Sequence, residues 1–164
     1  MTETRWLNDD ERQAWLRLMA VTMLLPSRLE AELKRDAGLS HFEYYVLAMI
    51  SEAPGRSSPL SAIAVKTNSS LSRLSHVVSR LEKAGYLTRC TSSTDGRTSI
   101  ATLTEAGWQK VVASAPGHVD EVRSLVFDSL TPEQVTQLDD ICARLLTTLD
   151  PEHQLLGITD ATTE

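Results

Sequence analysis

Ser69-Ser70-Leu71-Ser72-Arg73-Leu74-Ser75-His76-Val77-Val78-Ser79-Arg80-Leu81-Glu82-Lys83-Ala84-Gly85 is the stretch that decides how this 164-residue chain folds. Leu71, Leu74, Val78 and Leu81 recur at steps of three, four and three, so a helix puts them on one buried face. The opposite face carries Ser69, Ser72, Arg73, Ser75, His76, Ser79, Arg80 and Lys83. An ordinary solvated helix face alternates Glu with Lys. This one has a single acid, Glu82, close to its end. Gly85 stands at the position where a left-handed residue ends a helix.

Upstream, Ser58-Pro59 reads as a cap followed by proline at the first helical position, opening a short helix to about Lys66. Thr67-Asn68-Ser69 is a brief polar turn between the two helices. Downstream the period changes. Tyr86 to Thr91 has strand composition, Ser92 to Gly96 forms a turn, and Thr98 to Leu103 is a second strand. Two helices on a tight turn, followed at once by a hairpin, are a helix-turn-helix with a wing. In that setting the polar face of the second helix suits the major groove of DNA. Its apolar stripe anchors it, and its hydroxyls, arginines and histidine offer donors to base edges and phosphates. Asp95 and Arg97, two apart at the hairpin tip, suit a wing arginine held by a carboxylate and inserted into the minor groove. A winged helix used only for protein contacts is the alternative. It would keep the fold but would need no basic face.

The rest of the chain supplies a body. A first helix is expected from Trp6 to about Asp36, capped by Asn8, Asp9 or Asp10. Ala14 to Leu25 is apolar almost all round, which suits packing on two sides, the second of them another subunit. Pro26 is expected to kink or divide this helix. Ser40-His41-Phe42-Glu43 is a capping box opening a helix to about Ala53. Thr104 caps a fifth helix, with an interruption expected at Ala115-Pro116-Gly117. Thr131-Pro132-Glu133-Gln134 opens a sixth, striped by Val135, Leu138, Ile141, Leu145 and Leu149. A loose tail follows. The fold class expected is mainly α (α+β): a winged helix-turn-helix with a two-stranded wing and terminal dimerisation helices. The divisions are 1–36, a dimerisation helix; 37–104, the DNA-binding lobe; 105–150, further dimerisation helices; and 151–164, a tail.

Charge agrees with this layout. The chain carries −6 overall, but Arg56 to Arg97 holds seven basic and two acidic residues, a net of +5 that leaves −11 elsewhere. A basic face on an acidic body orients a molecule on phosphates. The longest apolar run, Ala14 to Leu25, is twelve residues and contains Arg17, too short to cross a membrane. No secretory leader is read at the start. Cys90 and Cys142 form neither metal spacing nor a disulfide framework, and a reducing cytoplasm is expected. His41, His76, His118 and His153 are scattered, so neither metal nor cofactor is expected. There is no glycine-rich phosphate loop, nucleophile elbow or metal-ligand spacing, and no enzymatic activity is expected.

The chain resembles the MarR family of bacterial winged-helix regulators, named for multiple antibiotic resistance. The matching run begins Gly38-Leu39-Ser40 and continues through Glu43 and Val46-Leu47. It includes Leu71 to Glu82 and Gly85-Tyr86-Leu87-Thr88-Arg89. It closes with Asp95-Gly96-Arg97 and Leu103-Thr104-Glu105-Ala106-Gly107. The resemblance implies a homodimer joined by N- and C-terminal helices. It implies binding to a pseudo-palindromic operator of double-stranded DNA, often as a repressor. It also implies release by a small phenolic or lipophilic effector. It puts the recognition helix at Ser70 through Arg80, the wing arginine at Arg97 and the orienting acid at Asp95. The effector cleft it implies lies between the dimer helices and the DNA-binding lobe, with Trp15, Met19, Met23, Phe42 and Tyr45 as candidate lining residues. The wing departs from many members in having Gly96 and one arginine after the aspartate, and Ser75 stands where threonine is frequent.

Overall fold

Asn8 begins the first helix in the manner that short polar side chains favour. Its Oδ1 accepts the Glu11 N–H at 2.8 Å while Glu11 Oε2 accepts the Asn8 N–H at 2.9 Å. The helix therefore starts at Asp9, not Trp6, and α1 spans Asp9–Asp36. The computed structural model describes residues 3–91 and 98–155. The helix runs unbroken through Pro26, because a proline removes only one N–H from the ladder of a 28-residue helix. The expected division into two does not occur. Ser40 and Glu43 close the expected capping box on α2 (His41–Ser51).

Among the described residues there follow β1 (Ser57–Pro59), α3 (Leu60–Lys66), α4 (Leu71–Lys83), β2 (Leu87–Thr91), β3 (Ser99–Leu103), α5 (Glu105–Leu125) and α6 (Pro132–Leu149). The sheet has three strands in the order β1-β3-β2, all antiparallel. β2 and β3 are the expected two-stranded wing, and β1 adds an edge strand that was not expected. Ser57, Ser58 and Pro59 pair with Thr102, Ala101 and Ile100, and Ser57 Oγ lies 2.8 Å from Thr102 Oγ1. Ser58-Pro59 is thus a short edge strand, where a proline costs no interior ladder bond. Pro59 becomes the cap of α3 and not its first residue.

The core forms where α2, α3 and α4 meet the sheet and the start of α5. Leu33, Val46, Leu47, Ile50, Leu74 and Val78 are fully buried there, with Leu81, Leu87 and Ala101 beside them. α5 is also continuous through Pro116, so the expected interruption is absent. Thr104 fixes its start. The Thr104 hydroxyl donates to Gly85 O at 2.7 Å and accepts from the Gly107 N–H at 3.0 Å, while its own N–H donates to Tyr86 O at 3.0 Å. The end of α4 and the start of β2 are in this way seated on α5. The outer part of α1 and the whole of α6 are different. No described residue of α6 is buried, and Trp15, Leu16, Val21, Met23 and Leu24 of α1 are exposed.

Candidate nucleic-acid interface

The turn between α3 and α4 is held by its own side chains. Asn68 adopts φ 45°, a left-handed conformation that asparagine tolerates better than most residues. The Ser69 N–H donates to Ala64 O at 2.9 Å. The buried Thr67 hydroxyl donates to Ile63 O at 2.7 Å and lies 2.9 Å from Ser69 Oγ. Ser70 caps α4, its Oγ accepting the Arg73 N–H at 3.2 Å. Two serines of the predicted contact face, Ser69 and Ser70, therefore have hydroxyls engaged in forming the turn and the cap.

α4 buries Leu74, Val77, Val78 and Leu81. Leu71, expected in this set, is exposed, and Val77 is buried in its place. The helix starts at Leu71, so this residue lies on the first turn beyond the reach of the core. Directly opposite the buried stripe stand Ser72, His76, Ser79 and Lys83, at steps of four, three and four. Ser72, His76 and Lys83 are exposed and Ser79 is half-buried. Ser75, also half-buried, lies on the flank beside Leu71 and Glu82.

Arg73 and Arg80 share the other flank, and α2 touches both. The Arg73 guanidinium stacks over the Phe42 ring, 4.3 Å from its centroid. Arg80 Nη2 lies 3.1 Å from Glu43 Oε1. Glu82 is matched by Arg89 of β2, whose Nε and Nη2 donate to Glu82 Oε2 at 2.9 and 2.6 Å. Arg56 stacks on Trp108 at 3.8 Å and lies 3.7 Å from Glu105. Among the described residues Lys66 and Lys83 enter no ion pair. The partners in α2 were missed from sequence, since Phe42 and Glu43 lie more than thirty residues from Arg73 and Arg80.

The arrangement is that of a solved DNA-binding protein. Sco3205 of Streptomyces coelicolor, a MarR family transcriptional regulator whose crystal structure is in complex with DNA, is 40% identical to this chain, with TM-score 0.85 over 91% of this chain and 93% of that one. This chain belongs to the MarR family. The sequence model of the MarR family matches residues 37–98. AbsC, another MarR family transcriptional regulator of Streptomyces coelicolor, is 38% identical with TM-score 0.84 over 89% of this chain and 98% of that one. The organohalide-sensing regulator RdhR-CbdbA1625, solved in its 2,4-dichlorophenol-bound form, has TM-score 0.75 over 97% of this chain and 98% of that one; at 18% identity it shares the fold alone. No curated protein matches the chain. The chain is accordingly a winged-helix DNA-binding transcription regulator and not an enzyme.

Two clefts adjoin the helix-turn-helix of this MarR protein. One of about 700 Å³ is lined by Glu30, Ser40, Phe42, Arg73, His76, Val77 and Arg80. The other, of about 630 Å³, lies between the turn at Asn68–Leu71 and Leu149, Asp150, Gln154 and Leu155 at and just beyond the end of α6. Of the five candidate effector residues, Phe42 lines the first cleft. Tyr45 donates its hydroxyl to Lys66 O at 3.2 Å. Met19 is half-buried on α1, and Trp15 and Met23 are exposed there. These last four line neither cleft. Asp95 and Arg97 lie outside the described residues. Among the described residues no cluster of His, Cys, Asp or Glu is placed to hold a metal, and no helix is long and apolar enough to cross a membrane.

Behind the first cleft, Glu30 of α1 accepts the His41 N–H at 2.6 Å and pairs with Lys34 at 2.8 Å. The Lys34 ammonium and then the His41 N–H hold its carboxyl below the usual carboxylate range. Burial, reinforced by the charge of His118, holds the His41 imidazole below its ordinary value.

Proposed function

We propose that this regulator is a cytoplasmic repressor that grips a pseudo-palindromic operator as a homodimer and lets go when a small phenolic or lipophilic effector binds. Residues 37–104 would be the DNA-binding lobe, and 1–36 with 105–150 the dimerisation body. The observation that carries the reading is the pairing of two surfaces. The polar stripe of α4 has no apolar interruption, while the apolar side chains of α1 and α6 stand in solvent. Ile141 is 57% exposed and Trp15 51% exposed, with Leu138 and Leu145 on the same face of α6 as Ile141. Exposed apolar area on this scale marks a protein interface. A twofold pair joined there would present two α4 helices, and entry into successive major grooves requires a separation of about 34 Å.

Release would follow by linkage. An effector that binds better to a dimer with another helix separation lowers DNA affinity by the same factor that DNA lowers its own. The cleft beside Phe42 touches both α1 and α4, so an occupant there could alter their spacing. The structural neighbour solved with 2,4-dichlorophenol is consistent with a phenolic class. The wing reading adds Arg97, held by Asp95, in the minor groove.

The test is selection of bound duplexes from a random pool, followed by sedimentation of the complex. The expected product is an inverted repeat with half-sites about 10 base pairs apart and two protomers per site. Selection of a single half-site bound by one protomer would refute the homodimer. Arg97→Ala should weaken binding to the selected site and to other duplexes alike; unchanged affinity at physiological salt would remove the wing from the interface.

A further inference from the structure

Glu43 has both carboxylate oxygens committed. Oε2 accepts the Ser40 N–H at 2.8 Å, completing the cap of α2, and Oε1 faces Arg80 Nη2 at 3.1 Å. The carboxylate is 15% exposed and the guanidinium 63%, so the acid is fixed while the base reaches outward. Its neighbour Phe42 lies beneath Arg73 at 4.3 Å. Arg73 and Arg80 are seven residues apart, two helical turns along one flank of α4. The first turn of α2 therefore holds both arginines of the recognition helix.

A guanidinium at liberty can fork onto a guanine or onto a phosphate. A ring under one and a carboxylate beside the other draw both arginines off the outward stripe of Ser72, His76 and Ser79 and toward the edge of the groove. Phosphates line that edge. We propose that Phe42 and Glu43 are positioning residues for DNA recognition, holding Arg73 and Arg80 as contacts to backbone phosphates and leaving the bases to the Ser72–His76–Ser79 stripe. This rests on the DNA-binding role of α4 proposed above. It makes the two arginines sources of affinity and the small polar stripe the source of sequence preference.

Glu43→Gln tests the arrangement with little risk to the fold. Gln134 already closes an equivalent cap in this chain, its Oε1 accepting the Thr131 N–H at 2.9 Å, so an amide can serve at Ser40. The melting temperature should stay within about 2 °C, as befits a retained cap. Binding to a random-sequence duplex should tighten about threefold to tenfold, since a negative charge leaves the DNA side. Binding to a duplex selected by the parent protein should tighten much less, so the ratio of selected to random affinity falls by about twofold to fivefold. Equal tightening on both duplexes, with the ratio unchanged, overturns the positioning role. Arg80→Ala should weaken both duplexes alike and make the slope of log affinity against log salt shallower by about 0.9 per bound subunit. A loss confined to the selected duplex, with the slope unchanged, would make Arg80 a base reader and also overturn the proposal. Failure of the parent protein to retain any duplex at about 50 mM salt would instead sink the DNA-binding role itself.

Discussion

Gly107→Ala should be the most crowded alanine substitution among the described glycines, and the geometry says what it costs. Gly107 lies in the first turn of α5, where its N–H donates to Thr104 Oγ1. A Cβ built on it overlaps the backbone carbonyl oxygen of Tyr86, sits 2.9 Å from the Tyr86 carbonyl carbon and 3.0 Å from Leu103 Cδ1. Ordinary contact begins near 3.4 Å, and a backbone carbonyl cannot rotate aside as a side chain can. The first turn of α5 would have to retreat by roughly 1 Å. That stretches the Thr104 N–H bond to Tyr86 O, now 3.0 Å, beyond useful length. The lost bond costs about 1 kcal/mol and the displaced packing about 1–3 kcal/mol. A loss of about 2–4 kcal/mol lowers the melting temperature of a chain this size by roughly 5–15 °C. Gly117→Ala in the same helix is the control. Its added Cβ meets only Glu32 Oε1, at an ordinary 3.5 Å, and alanine favours the helix by about 0.5–1 kcal/mol. Thermal unfolding followed by circular dichroism at one protomer concentration reads both. Opposite shifts are expected. A Gly107→Ala protein that melts within about 2 °C of the parent would refute the close-approach argument.

Ile141→Asp places a charge on the exposed apolar face of α6 and should shift the protein from dimer to monomer in sedimentation at micromolar concentration; an unchanged sedimentation coefficient would exclude this face from the interface. The pH dependence of stability should bear the mark of His41. Burial, with the His118 charge acting in the same sense, holds its imidazole below the ordinary 6.5. The folded protein then binds fewer protons than the unfolded chain, so stability present above pH 6.5 is lost as pH falls from there toward the lower folded value. His41→Gln should flatten the fall in urea midpoint between about pH 7 and pH 5; equal slopes in both proteins would refute it.

Much of this fold is written locally. The capping boxes at Ser40/Glu43 and Thr131/Gln134, the left-handed glycine Gly85 at φ 80° and the period of Leu74, Val78 and Leu81 are all observed where the sequence puts them. Each depends on residues within one or two helical turns, so hydrogen bonding and amphipathicity act on the chain before any packing does. The family run around Leu71 to Glu82 and Leu103 to Gly107 could be read for the same reason.

Tertiary structure decided what spacing along the chain cannot express. Ser58-Pro59 has the composition of a helix start, yet its strand pairing depends on Ala101 and Ile100, more than forty residues away. Leu71 satisfies the helical period but lies past the edge of the core, and Val77 is buried in its place. Arg73 and Arg80 look like free members of a contact face until Phe42 and Glu43 are seen beside them. Gly107 is one residue of the family run, with no reason given for its being glycine, until the Tyr86 carbonyl is found against it. Local propensity and period settle which segments are helices and which face each buries. The choice of neighbour, and with it the setting of Arg73 and Arg80, is fixed only when distant elements close on one another and exclude every other partner.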